Sequence, residues 1–301
     1  MKKKYEFTGE TKEFDEIILY RIRRIKDGLV GGWIEKEENL SHEGDCFVYD
    51  EAVVYGNGKV YGDAVVYDNV RVSGDARIYG NAEVYDYARV CDDAIVCGNA
   101  KVYGSAEVYD NAEIHGDARI FGCAEICAYA DVYGCAEVYD NAMVRGYAEV
   151  CDNAIICDNA EIFGDARMYD HAVVYGDAKV YNDAMIYGYA RVYGCHAEVF
   201  GNAEICDSAR VCGNAKIHEG RIVGQISQAY KDIFQHQCKN RVLTTILTED
   251  DEILYSIGCQ NNITKEVFLN RIHNEDGGLE ENPHREEYLK LIPLIEQYFK
   301  N

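Results

Sequence analysis

From Ala52 to Ala190 every sixth residue is alanine, Gly58 and Val70 excepted, and the residue two places further on is valine, isoleucine or, once, Met168. Spacing this strict is the mark of a repeat architecture and not of an ordinary globular domain. A representative unit is Ala82-Glu83-Val84-Tyr85-Asp86-Tyr87, and the phrase stays close to Ala-x-Val-Tyr-Gly-Asn throughout. In an extended segment alternate side chains face opposite ways, so Ala and Val share one face and x and Tyr the other. The small apolar pair is the expected core. The last two positions are mostly Gly or Asp followed by Asn, Asp or Ser, residues that tolerate a left-handed backbone and tight turns. Each hexad therefore predicts a four-residue strand and a corner. One such strand cannot bury its apolar face alone, so successive turns must stack about 4.8 Å apart into a β-solenoid.

Coil size follows from the exceptions to tyrosine. With eighteen residues per coil, one face collects Tyr67, Tyr85, Tyr103, Phe121, Tyr139, Cys157, Tyr175 and Tyr193. Ser73, Cys91, Cys127 and Arg145 then fall on a second face, and Cys97, His115 and Cys151 on the third. A twelve-residue coil scatters them. The expectation is a triangular prism of roughly nine coils, about 45 Å long.

The phrase [Val/Ile]-Tyr-Gly-Asn-Ala-x resembles the hexapeptide repeat of left-handed parallel β-helices, and specifically the YdcK-type β-solenoid repeat. The lead-in Gly31-Gly32-Trp33-Ile34-Glu35-Lys36-Glu37-Glu38-Asn39-Leu40-Ser41 is similar to that family's as well. The resemblance covers more than half the chain. It implies an all-β, left-handed solenoid of a kind often encoded by phage or prophage, and labelled acyltransferase on the strength of the repeat alone. Hexapeptide acyltransferases use acyl-CoA, a histidine at a subunit boundary and a long loop grown from one coil. Here no such loop interrupts Ala52 to Ala190, and His115, His171 and His218 read as substitutions within the repeat.

Three segments are expected: an N-terminal β cap over 1–45, the solenoid over 46–220, and a small C-terminal α/β cap or oligomerisation domain over 221–301. Tyr5 to Thr8 and Ile17 to Ile25 read as strands, with Arg21, Arg23, Arg24 and Lys26 a solvated basic strand face. Gly28 to Asn39 leads into the first coil, whose open edge the N-terminal segment covers. Near the C-terminus Val242–Thr248 and Ile253–Gly258 read as a hairpin and Asp276-Gly277-Gly278 as a turn. Helices are predicted from Thr264 to about Asn274 and from Pro283, the second bent at Pro293. The few prolines suit strands that follow one another without irregular loops. No run of eighteen apolar residues and no signal-peptide pattern is visible, and the thirteen cysteines mostly replace tyrosine or a corner residue. That reads as reduced thiols in a cytoplasmic protein with no membrane segment.

Charge is the second informative feature. Residues 41–220 hold twelve Lys plus Arg against thirty-one Asp plus Glu, a net of −19 within a chain total of −23. Such a surface repels nucleic acid and attracts basic partners. In the eighteen-residue register Glu107 and Glu125 stack on one face, and Glu113, Asp131 and Glu149 on the next. Like charges that close are unfavourable unless a basic group relieves them. Asp63, Asp75, Asp117, Asp165 and Asp177 stand at corners but lack the calcium-binding β-roll pattern. At Gly194-Cys195-His196-Ala197 one extra residue breaks the register. Adjacent corner side chains are expected to point apart there, which leaves no thiol–imidazole pair.

The resulting expectation is a non-enzymatic acidic scaffold with no cofactor and no metal, binding a protein partner that has a basic surface and binding no nucleic acid directly. The candidate surface is the ring ladder Tyr67, Tyr85, Tyr103, Phe121 and Tyr139 with Glu107, Glu113, Glu125, Asp131 and Glu149, since tyrosine is enriched at interfaces. A phage-type inhibitor that offers a DNA-like negative surface is the specific form of this reading, and an acyl-CoA-dependent acyltransferase is the alternative. A homo-oligomer, formed through the C-terminal domain or a solenoid face, is also expected.

Overall fold

The computed structural model describes residues 3–213, 215–218, 220–222, 225–226, 230–238, 241–248, 252–257, 260–273 and 285–300. Its body is a parallel β-solenoid. Short strands pair with the strand eighteen residues on, as Glu83 does with Lys101 and Arg89 with Glu107, and they build three long sheets. We call these face 1 (through Val53, Arg71, Arg89 and Glu107), face 2 (through Lys59, Arg77, Ile95 and Glu113) and face 3 (through Val65, Glu83, Lys101 and Arg119). The chain visits them in the order 1, 2, 3 and repeats.

The alternation read from the hexad is present. Every Ala and Val/Ile of the repeat's two core positions, from Ala52 to Ile217, is buried, whereas the x and Tyr positions face out, the buried Val53, Cys127, Cys151 and Cys206 excepted. The paired strands are shorter than the four residues expected, most covering only x and Val. Hydrogen bonding nevertheless continues into the corner, as in Tyr79 N–H to Val96 O (3.0 Å) and Asn81 N–H to Gly98 O (2.7 Å). Nine coils were expected and about ten are present, because pairing continues from Arg191 to Arg210 to Gln225 and from Glu204 to Arg221. The last coils lose the alanine marker, since Glu204 to Arg221 spans seventeen residues and Arg210 to Gln225 fifteen.

Both ends are plugged. Strand β1 (Tyr5–Phe14) pairs antiparallel with β2 (Ile17–Arg24), which pairs with β3 (Val30–Ile34), and β3 lies parallel to the first strand of face 1. β1 runs well past Thr8, with a register shift between Phe7 and Thr11 at Gly9. Tyr5, Ile22, Ile34 and Leu40 join the solenoid core. Gly31 and Gly32 permit this approach: a Cβ on Gly31 would lie 2.6 Å from the Phe47 ring and from Val48 O, and one on Gly32 2.6 Å from Ala52 O.

At the other end Tyr230–Cys238, Arg241–Thr248, Ile253–Ile257 and Gln260–Thr264 form a four-stranded antiparallel sheet. The expected hairpin is its middle pair; the outer two strands were not foreseen. Ile246 and Leu254 complete the solenoid core. Leu243 and Tyr255 pack instead with Phe268 and Ile272 of α1 (Lys265–His273) and with Tyr288, Leu291, Ile292 and Ile295 of α2 (Arg285–Tyr298). α2 runs through Pro293. The expected turn at Asp276-Gly277-Gly278, the helix start at Pro283 and the strand end at Gly258 lie outside the described residues.

Candidate functional site

The corners explain the charge. The residue four places after each alanine has positive φ in every coil: Gly56, Gly62 and Asp68, then Gly74, Gly80 and Asp86, and so on. Glycine takes this conformation freely; Asp and Asn are the side chains that tolerate it best. Aspartate has a further use here. The Asp68 carboxylate accepts the Asp86 N–H at 3.2 Å, Asp86 accepts Gly104 N–H at 3.1 Å, and Asp110 accepts Ala128 N–H at 3.1 Å. Asp152 and Asp158 do the same for Asp170 (3.2 Å) and Gly176 (3.0 Å), and Asp170 for Gly188 (3.0 Å). Each such carboxylate caps the backbone of the next coil. Asparagines one place on form parallel ladders that end on an aspartate, as in Asn81 to Asn99 (3.0 Å) to Asp117 (2.9 Å).

Cations are sorted the other way. Between residues 41 and 220 every Lys and Arg except Arg145 stands at the x position in mid-strand, and every Asp except Asp131 stands at a corner. Several of the mid-strand cations pair with acids of neighbouring coils: Arg89 with Glu107 (2.9 Å), Lys101 with Glu83 (3.0 Å), Arg119 with Glu137 (3.1 Å) and Lys179 with Glu161 (2.9 Å). The net negative charge therefore lies along the three edges of the prism, while the faces are close to neutral.

The sequence-predicted residues are divided by this geometry. Tyr67, Tyr85, Tyr103, Phe121 and Tyr139 stack on face 3 with ring centroids 4.7–5.0 Å apart and planes within 8°. Burial in the stack, with Tyr103 and Tyr67 on either side, pushes the Tyr85 hydroxyl up to about 12. A hydrogen bond with Cys157, then burial, does the same for Tyr139. Glu107 and Glu125 pair on face 1, and Glu113, Asp131 and Glu149 on face 2. The ladder and the acids thus do not share a surface, but the two acid sets flank one edge, that between faces 1 and 2.

Part of the repulsion among these acids is relieved from within the chain. His115 Nε2 lies 3.1 Å from Asp131 Oδ1 and its ring stacks on Tyr133 at 4.8 Å. The Tyr133 hydroxyl donates to Glu149, and Arg167 Nε lies 3.7 Å from the same carboxylate. Burial pushes the Asp131 carboxyl above the usual range; His115 opposes this, and Glu113 and Glu149 add to it.

The histidine-centred alternatives find less support in the geometry. His171 stacks on Tyr189 at 4.9 Å and His218 tilts against Phe200 at 6.0 Å. Cys195 and His196 do not point apart as expected: His196 Nδ1 lies 3.1 Å from Cys195 Sγ. The inserted residue lengthens this corner, with Gly194 at φ +113°, and turns the two side chains together. The pair is exposed, and no carboxylate among the described residues orients the imidazole in the way a nucleophile–base pair uses. On the edge between faces 2 and 3 a shallow groove of about 390 Å³ is lined by Cys135, Asn153, His171 and the Arg119–Glu137 pair. Cys135 and His171 are two coils apart there, about 9.6 Å at the usual strand spacing. Among the described residues no group of three or more His, Cys, Asp or Glu is placed to hold a metal ion. No described helix is long and apolar enough to cross a membrane. The eleven cysteines from Cys46 to Cys212 are all free.

Some residues escaped the sequence reading altogether. At the second corner position, where the repeat favours Asn or Asp, tyrosines stand at Tyr87, Tyr129, Tyr147 and Tyr189, and they are the exposed large hydrophobic residues of the solenoid. Tyr129 and Tyr147, 54% and 63% exposed, stack on each other at 4.9 Å on the edge between faces 1 and 2. The signal available in the sequence was a bulky ring in a turn slot.

Three sheets wound from eighteen-residue coils with an alanine and valine core define a parallel β-solenoid. Residues 76–92 match the family model described as YdcK Beta solenoid repeat, and the coils on either side continue the same hexad. No curated protein matches the chain.

Proposed function

We propose that the solenoid is a non-enzymatic scaffold whose acidic edges bind a protein partner with a basic surface. The observation that carries this reading is the sorting of charge: the cations stand in mid-strand, several of them paired with acids of neighbouring coils, whereas the corners hold aspartates and no lysine or arginine. Nineteen net charges over ten coils of about 4.8 Å amount to one per about 2.5 Å of axis. Duplex DNA carries one per about 1.7 Å. That similarity favours a partner whose basic surface ordinarily meets nucleic acid, with the rigid carboxylate rows standing in for phosphates.

The test is capture from lysate on the immobilised full chain, followed by re-binding of the purified partner across a salt titration. Wild type is compared with a variant in which Asp86, Asp110, Asp152 and Asp170 are asparagine, which keeps the corner conformation and a side-chain acceptor. Association that weakens with salt and with neutralisation, mainly through the on-rate, is expected. An acyl-CoA-dependent activity abolished by His115→Ala and His196→Ala, with the neutralised variant indistinguishable from wild type, would replace the scaffold with an enzyme.

A further inference from the structure

The edge between faces 1 and 2 departs from the repeat in one place. Its second corner positions read Asp75, Asp93, Asn111, Tyr129, Tyr147, Asp165 and Asp183. A stacked pair of exposed rings is thus inserted in an otherwise polar and acidic row. Asp92 and Asp110 add carboxylates at the first corner position on one side of the pair. Glu107 and Glu125 border the edge from face 1, and Glu113, Asp131 and Glu149 from face 2.

Neither ring is needed by the coil. Rings within the faces lie half-buried against the strands, and the second corner position is elsewhere mostly Asn, Asp, Ser or Cys, with Tyr87 and the stacked His171 and Tyr189 among the exceptions on the other edges. The corner before Tyr129 is also unlike the rest: Ala128 is the one described solenoid corner residue with positive φ, at +59°, that is not Gly, Asp or Asn. Arg145, two residues before Tyr147, is engaged elsewhere, over the Phe163 ring at 4.8 Å and 3.4 Å from Glu161.

We propose that this edge is a docking strip for an extended segment of a partner chain carrying arginine, with guanidinium groups over Tyr129 and Tyr147 and further basic residues against the acids on both sides. The proposal rests on the acidic-scaffold reading above and gives it a location and a chemistry. Charge complementarity selects the occupant. The rings offer their faces to any flat group, but the flanking carboxylates repel the phosphates of a nucleic acid. A guanidinium stacks on tyrosine and satisfies carboxylates at the same time. The dimensions agree: from Asp93 to Asp183 the strip crosses five coil spacings, about 24 Å, the length of roughly seven residues of extended chain.

The test is fluorescence anisotropy on the full-length protein with a labelled Arg-Ser-Arg-Ser-Arg-Ser-Arg-Ser peptide and its lysine counterpart. Tyr129→Asn with Tyr147→Asn restores the repeat's own corner residue, so the fold is retained, which circular dichroism verifies. Binding of the arginine peptide is expected to weaken about tenfold in that variant, to be tighter than binding of the lysine peptide, and to be unchanged by Asp140→Asn with Asp158→Asn on a different edge. If the tyrosine variant binds as wild type does while Asp140→Asn with Asp158→Asn weakens binding, this location is wrong and the acidic-scaffold reading stands. If wild type binds neither peptide at low salt, both fall. Concentration-dependent self-association that the tyrosine variant abolishes, with no effect on peptide binding, would make the occupant a second copy of the chain and overturn the proposal.

Discussion

Gly74 tests the stacking most directly. Its φ is +63°, and a Cβ built there would lie 2.5 Å from Asp92 N, 2.7 Å from Asp92 Cα and 2.8 Å from Asp92 O. All three are backbone atoms, so no side-chain rotation relieves the clash and the two coils must separate locally. Gly74→Ala therefore incurs about 1–2 kcal/mol for a left-handed alanine and about 1–3 kcal/mol for overpacking. Restriction of the unfolded chain returns about 0.4–1 kcal/mol, which leaves a destabilisation of about 2–4 kcal/mol. Gly28 is the control, with φ +76° and nothing within 4 Å of its would-be Cβ. Gly28→Ala meets only the backbone preference and should cost about 1 kcal/mol. Urea unfolding followed by circular dichroism gives the comparison. Hydrogen exchange of the amides around Asp92 shows whether the loss is local, as expected of a stack in which each coil touches only its neighbours. Equal effects at the two glycines would refute the claim that the coil above, and not φ alone, demands glycine at this corner.

Three further outcomes are expected. Ala136 is fully buried beside Val138, so Ala136→Leu should overpack its coil and lower stability by about 1–3 kcal/mol in the same unfolding assay. Asn39 is buried in the lead-in, where Nδ2 donates to Gly56 O (3.2 Å) and Gly58 O (2.8 Å) and Oδ1 accepts the Lys36 N–H (2.8 Å); Asn39→Ala leaves these groups unpaired and should cost about 2–4 kcal/mol, read as a lowered urea midpoint. Asp131 has its folded-state pKa raised, so its ionisation penalises the fold as pH rises through that value and costs nothing below the unfolded value. Asp131→Asn should therefore stabilise at pH 7 by about 0.2–1 kcal/mol, a gain that disappears below about pH 4 and that pH-independent midpoints would contradict.

What was legible in the chain was what recurs. Ala and Val at fixed spacing admit one inside and one outside, and the tyrosine exceptions fall into columns only at eighteen residues, which is why Tyr85 and Tyr103 were placed on one face. The sequence predicts a strand end at Thr8 because Gly9-Glu10-Thr11-Lys12-Glu13 has little strand propensity. Pairing with Ile17–Arg24 overrides that weakness. The strands Tyr230–Cys238 and Gln260–Thr264, rich in Gln, His and Asn, were missed for the same reason. The ring ladder and the acids were read as one surface because the sequence gives columns but not their separation around the prism. Cys195 and His196 depart from expectation because a lengthened corner does not obey the two-residue geometry of the others.

The charge illustrates how far a repeat can mislead. Left-handed corners favour Gly, Asp and Asn, and among these aspartate also caps the N–H of the coil above, as Asp86 does for Gly104. Much of the acidity is therefore a consequence of the architecture and would be present whatever the protein binds. A residue that serves the coil recurs in other coils, and a residue that departs from the pattern while exposed is not explained by the coil. By that criterion the Asp68, Asp86 and Asp110 carboxylates carry little functional information individually, although together they set the field. Tyr129 and Tyr147 carry more. They replace a turn residue with a large apolar ring, they do so in consecutive coils on one edge, and the stack they form leaves over half of each ring exposed to solvent. A protein of this kind is best searched for its site among the exceptions to its own repeat.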